Sequence, residues 1–102
     1  MIGRRIPDRM DGSLDGVEPG DYWRDQNGDW TAAVPNPKLP AYKPEYAHGI
    51  CLAGLSKHDV TEHEDGTITV NPSIKVTSPW GPDRVEHEWY HGWLERGIWR
   101  DA

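Results

Sequence analysis

The residues His87-Glu88-Trp89-Tyr90-His91 spell H-E-x-x-H, a pattern that can hold zinc and activate water on it. That chemistry requires a helix. There, residues four apart stack with about 5–6 Å between their Cβ atoms, so two imidazoles converge on one ion and the glutamate serves as general base. In a strand the same two residues share a face but lie about 13 Å apart, at about 3.3 Å per residue. Zn–N bonds are near 2.1 Å, so conformation decides the matter. The local residues predict a strand: Trp89, Tyr90 and Trp93 favour β structure, and Gly92 weakens a helix. Arg96-Gly97 sits at hairpin distance before "IWR", and only Glu95 and Asp101 follow His91 as a third ligand. Were a metal held at all, its ligands would come from His63, His87, Glu88 and His91. The expectation is that none is held and that the histidines occupy polar or half-buried strand positions. His91, between aromatics and beside a glycine, should satisfy its ring with a hydrogen bond.

Other reactive groupings are weaker. Ser13, Ser56, Ser73 and Ser78 occupy no nucleophile elbow, and "HGICLAGLS" lacks the Lys-Ser/Thr ending of a phosphate loop. Cys51 reads as a small core residue. The acidic Asp59, Glu62, Glu64 and Asp65 cluster at a turn, where negative charge protects a strand edge. No catalytic residue and no cofactor is expected.

The elements that would position these residues are short. Residues 1–20 have no sustained periodicity and read as an irregular arm, anchored by Ile6, Met10, Leu14 and Val17, with Arg4, Arg5 and Arg9 solvated. Asn27-Gly28 marks a hairpin between two Trp-bearing strands. A three-residue loop there would set Asp25 against Asp29, so a loop of two or four is expected. Residues 34–44 form a Pro-rich extended connector, since proline gives no N–H to a sheet. A short helix is expected around 45–56, burying Ile50, Leu52 and Leu55. In "HDVTEHEDGTITVNPSIKVT" the alternation is period two. A Glu64-Asp65-Gly66 loop with Gly66 left-handed sets Val60 opposite Val70 and Glu62 opposite Ile68. Pro72 then ends the strand or makes a bulge. The predicted fold is mainly β with a minor helix, a small antiparallel meander of about seven short strands built from hairpins, in one domain spanning residues 1–102.

Composition narrows the role. The chain has 102 residues, six Trp, four Tyr and no Phe, so a few large aromatics must supply the core. A net charge of −6 argues against phosphate-backbone binding, so no nucleic-acid partner is expected. One cysteine excludes an internal disulfide framework, and no apolar run approaches the length needed to span a bilayer. A cytoplasmic protein without membrane contact is the expectation.

"HDVTEHEDGTITVNPSIKV" followed by "HGWLERGIWR" resembles a group of small β-rich accessory proteins of actinobacterial phages and prophages. The shared features are Asp65 to Val70, then Pro72 to Ile74, then Tyr90 to Trp99. The resemblance covers about residues 55–101 and a "GDYW…GDW" segment, and leaves out the Pro-rich middle. It implies a phage accessory product working in the host cytoplasm, and brings no activity with it. In that group His-Glu is not typical before the His-Gly, which implies that the H-E-x-x-H match is accidental. The expected function is non-enzymatic: binding and modulating a host or phage protein, through Trp80, Trp89, Tyr90, His91, Trp93 and Trp99. The alternatives are a metal-binding domain of zinc-hydrolase type and a minor virion or assembly component. A homodimer through an edge strand is also open.

Overall fold

The computed structural model describes residues 1–35, 50–78 and 87–102. These contain eight strands: β1 (Arg4–Arg5), β2 (Asp21–Arg24), β3 (Trp30–Ala33), β4 (Leu52–Gly54), β5 (Asp59–Glu62), β6 (Ile68–Ser78), β7 (His87–Glu95) and β8 (Ile98–Asp101). They form two four-stranded sheets, in the orders β1-β2-β3-β4 and β5-β6-β7-β8. All pairings are antiparallel except β1 with β2. The β-rich, hairpin-built fold matches the expectation, and no helix occurs among the described residues. Over residues 50–56 the predicted helix is replaced by β4; its remainder, all of the Pro-rich connector but residues 34 and 35, and Trp80 lie outside the described residues. The reason is period-two burial: Cys51, Ala53 and Leu55 point inward, while Leu52, expected in the core, is 41% exposed.

Loop chemistry sets the registers. The β5–β6 turn follows the expected pairing, Val60 with Val70 and Glu62 with Ile68. Gly66 has φ 86°, and the Asp65 carboxylate accepts from the Thr67 amide and hydroxyl at 3.0 and 2.6 Å. The β2–β3 hairpin takes the register that repulsion was expected to forbid. The Asp25 amide donates to the Asp29 carbonyl at 2.8 Å, closing a three-residue loop. Asp25 turns its carboxylate into the turn, accepting from the Asn27 and Asp29 amides and from the Thr31 hydroxyl. Three donors on one carboxylate outweigh a repulsion between exposed charges. Pro72 produces a bulge and not an end: β6 continues to Ser78 with a register shift between Val70 and Ile74.

The core lies between the sheets. Tyr22, Trp30, Ala32, Val34, Cys51, Ala53 and Leu55 meet Ile68, Val70, Ile74, Trp89, Tyr90, Leu94 and Trp99. A second apolar cluster joins Ile6 and Val17 to Trp23, Ala33 and Ile50, with Leu14 beside it. The N-terminal segment therefore covers the first sheet and is no solvated arm, although Met10, expected as an anchor, is exposed. Arg4 grips buried Asp21 with two nitrogens at 3.1 and 2.8 Å, and Arg9 donates to the Ser13 and Asp15 carbonyls. Arg5 and Arg24 each stack on the Trp30 ring at 4.8 Å.

The same segment stitches the two sheets. The Gly3 amide donates to the Gly97 carbonyl at 2.7 Å and the Trp99 amide to the Met1 carbonyl at 2.8 Å, on the second sheet. Further on, the Ile6 amide donates to the Tyr22 carbonyl at 3.1 Å, on the first. At the crossing a Cβ on Gly3 would lie 2.7 Å from the Gly20 carbonyl oxygen and 2.8 Å from the Trp99 indole nitrogen. Only glycine fits there. The Trp99 indole N–H closes the seam by donating to the Gly20 carbonyl at 2.9 Å.

Candidate functional site

Strand β7 carries every residue of the H-E-x-x-H match, and it is extended from His87 to Glu95. Neighbouring residues therefore alternate between the core and the outer face of the second sheet. Tyr90 and Leu94 go inward, and His91, Trp93 and Glu95 go outward. His87 and His91 stand about 13 Å apart along such a strand. Among the described residues no group of three or more His, Cys, Asp or Glu is placed to hold a metal ion. His63 turns its Nε2 to the Thr69 hydroxyl at 2.7 Å, and His91 turns its own to the Ser73 hydroxyl at 3.1 Å, satisfying each ring separately. Glu88 lies 3.8 Å from Lys75, engaged as a surface ion pair.

Three of the expected binding residues are core. Trp89, Tyr90 and Trp99 are each at most 5% exposed, so they present no surface to a partner. Trp89 reaches the core because it is the extra residue of a bulge: Val76 pairs with Tyr90, and the next residue, Thr77, with Glu88. Tyr90 folds back across Gly92, its ring at 84° to that of Trp99 with centroids 5.8 Å apart. Its hydroxyl donates to the Asp101 carboxylate at 2.9 Å. Burial first, and then that carboxylate, push the phenol well above its ordinary value.

His91 and Trp93 remain, and the register surrounds them with residues on the same outer face. Lys75 pairs with His91, Arg100 with Trp93 and Ile98 with Glu95, while Ile2 bridges to Ile98 from the N-terminal segment. The Arg100 guanidinium lies 5.2 Å from the Trp93 ring centroid, and the His91 ring lies 5.7 Å away at a tilt of 36°. Both neighbours hold the half-buried indole in place. Ile98 is 54% exposed and Ile2 83%. Trp93, Glu95, Ile98 and Arg100 line a shallow depression of about 170 Å³. No protein-family model, curated protein or solved structure matches the chain. The site therefore has to be read from its own chemistry.

Over residues 67–78 and 87–102 the cations Lys75, Arg96 and Arg100 balance the anions Glu88, Glu95 and Asp101, so the chain's net charge of −6 arises elsewhere. An ordered indole on a charge-balanced sheet face has the composition of an interface centre, where aromatics and Arg are enriched. Of the residues on this face, His91 and Trp93 were expected from the sequence, and Ile98, Arg100, Lys75 and Ile2 were not. Part of the signal was available: in "IWR" a buried Trp99 forces Ile98 and Arg100 to the opposite face. Ile2 had no local signal, because its place depends on a bridge to a residue 96 positions away. A second cleft, of about 180 Å³, opens between the N-terminal segment and the β2–β3 hairpin, with Leu14, Trp23 and Leu52 as its apolar lining.

Proposed function

We propose that this protein is a non-enzymatic accessory protein of a phage or prophage, working in the host cytoplasm by binding and modulating a host or phage protein. The outer face of β6, β7 and β8 is its contact surface. The observation that carries the reading is Trp93, set between Arg100 and His91 with exposed Ile98 and Ile2 alongside. Tryptophan and arginine are enriched among the residues that dominate interface energetics, and the indole combines large area with a polar end and loses little freedom on binding. Here that loss is smaller still, since stacking already restrains the indole before any partner arrives. The acidic remainder of the chain supplies long-range attraction toward a basic partner. The phage origin is supported by the resemblance of residues 55–101.

The test is affinity recovery from actinobacterial host cells with the wild-type protein, Trp93→Ala and, as a surface control, Lys57→Ala. A protein recovered by wild type and control and lost with Trp93→Ala supports the reading. Recovery that is unchanged by Trp93→Ala overturns it.

A further inference from the structure

We propose that the free protein pairs with a second copy of itself through the Trp93 face, as a two-fold dimer that must part before the face takes another protein. This rests on the reading of that face as an interaction surface. The argument lies in the register. Glu95 pairs with Ile98 and Trp93 with Arg100, so four outward side chains form a two-by-two block. On one diagonal stand the apolar Trp93 and Ile98. On the other stand the oppositely charged Glu95 and Arg100, 3.4 Å apart and both largely exposed.

A two-fold axis along the apolar diagonal leaves Trp93 facing Trp93 and Ile98 facing Ile98. It also exchanges the other two corners, so each Glu95 faces Arg100 of the second copy. The block is thus self-complementary in both polarity and charge, the condition an isologous interface must meet. With equal charges on that diagonal the same operation would oppose like to like. Ile2, bridged to Ile98 on its far side, extends the apolar contact. Residues 67–78 and 87–102 carry no net charge, so pairing here sets no net charge of one copy against that of the other. The edges first suggested by the sequence are poorer routes. Residues 1–3 already occupy β8, and β5 is four residues long and carries Asp59 and Glu62.

The test is sedimentation equilibrium over a concentration series reaching the high micromolar range, on wild type, Glu95→Arg, Arg100→Glu and an equimolar mixture of the two variants. Both positions are exposed, so the variants keep the fold, which circular dichroism checks. The wild type should dimerise. Each variant alone sets like charges against each other twice and should associate at least about tenfold more weakly. The mixture should recover dimers, because every contact between the two variants is again of opposite charge. A wild type that stays monomeric throughout, single variants that dimerise like wild type, or a mixture that recovers nothing each overturns the dimer. A monomeric wild type that still captures a partner through Trp93 leaves the binding face standing, so the two readings fail separately.

Discussion

Gly92 lies beneath the outer face of β7 and β8, and replacing it by alanine tests how that face is supported. A Cβ there would lie 2.7 Å from the Arg100 carbonyl oxygen and 2.8 Å from Cζ of Tyr90, with the Tyr90 hydroxyl nearer still. Neither neighbour can yield freely. The carbonyl is backbone, and the phenol is fixed by Asp101 at 2.9 Å and by the Trp99 ring. Forcing a methyl group into filled space costs about 1–3 kcal/mol. Swinging the phenol aside loses a hydrogen bond to a carboxylate, about 1.5–3 kcal/mol. A total of at least about 2.5 kcal/mol is expected, which lowers Tm by at least about 10 °C in a domain of this size. Urea unfolding of wild type, Gly92→Ala, Tyr90→Ala and the double variant measures it. With the phenol gone only the Arg100 carbonyl is crowded, so the Gly92→Ala cost should fall by at least about 1 kcal/mol. An equal cost in both backgrounds, or a neutral Gly92→Ala, refutes the reasoning.

Other predictions concern the turns and the buried acids. Arg96 has φ 46° before Gly97 at 76°, a two-residue turn that favours Asn first. Arg96→Asn should therefore add about 1 kcal/mol in urea unfolding, and a loss of stability would contradict the turn geometry. Burial pushes the Cys51 thiol up to about 11 from 9.0. It also raises the phenols of Tyr22 and Tyr90 above 10.0, with Asp65 and Asp101 respectively adding to the effect. The fold thus holds these protons more tightly than the unfolded chain does. Their contribution to stability is full below those ordinary values and declines as pH rises past about 9 and then 10. Urea midpoints should fall across that window, and a flat profile would contradict the burial. At pH 8 a thiol reagent should leave folded Cys51 unmodified and label it only on unfolding; rapid labelling of the native protein would show the thiol to be accessible.

The legible parts of this fold were those governed by local rules. Gly66, after an Asp that caps its own turn, fixes one register, and alternation around Ile68 and Val70 fixes the face. The Trp and Gly content around residues 89–93 identified β7 as a strand and so removed the zinc geometry. Long-range packing was not legible. Asp25 was judged by its charge, whereas three turn donors decide its place. The N-terminal segment lacks periodicity because it serves two sheets in succession, and no repeat of two or 3.6 describes that. Gly92 read as a helix weakener, yet its role is to make room for Tyr90. Of the aromatics named in advance as binding residues, Trp89 and Trp99 are core for reasons that lie across the sheets. Trp93 points outward and is only half-buried because β7 alternates without interruption from Tyr90 to Glu95.

The central claim is that the outer face of β6, β7 and β8 meets another protein. A photo-cross-linking amino acid placed at Ile98 in the expressed protein, with a second placed at Gln26 on the opposite sheet's hairpin, tests it inside the host cell. Irradiation should join the Ile98 probe to a defined protein, a second copy of this chain or another, and leave the Gln26 probe unlinked. No adduct from Ile98, or the same adducts from both positions, would contradict the account.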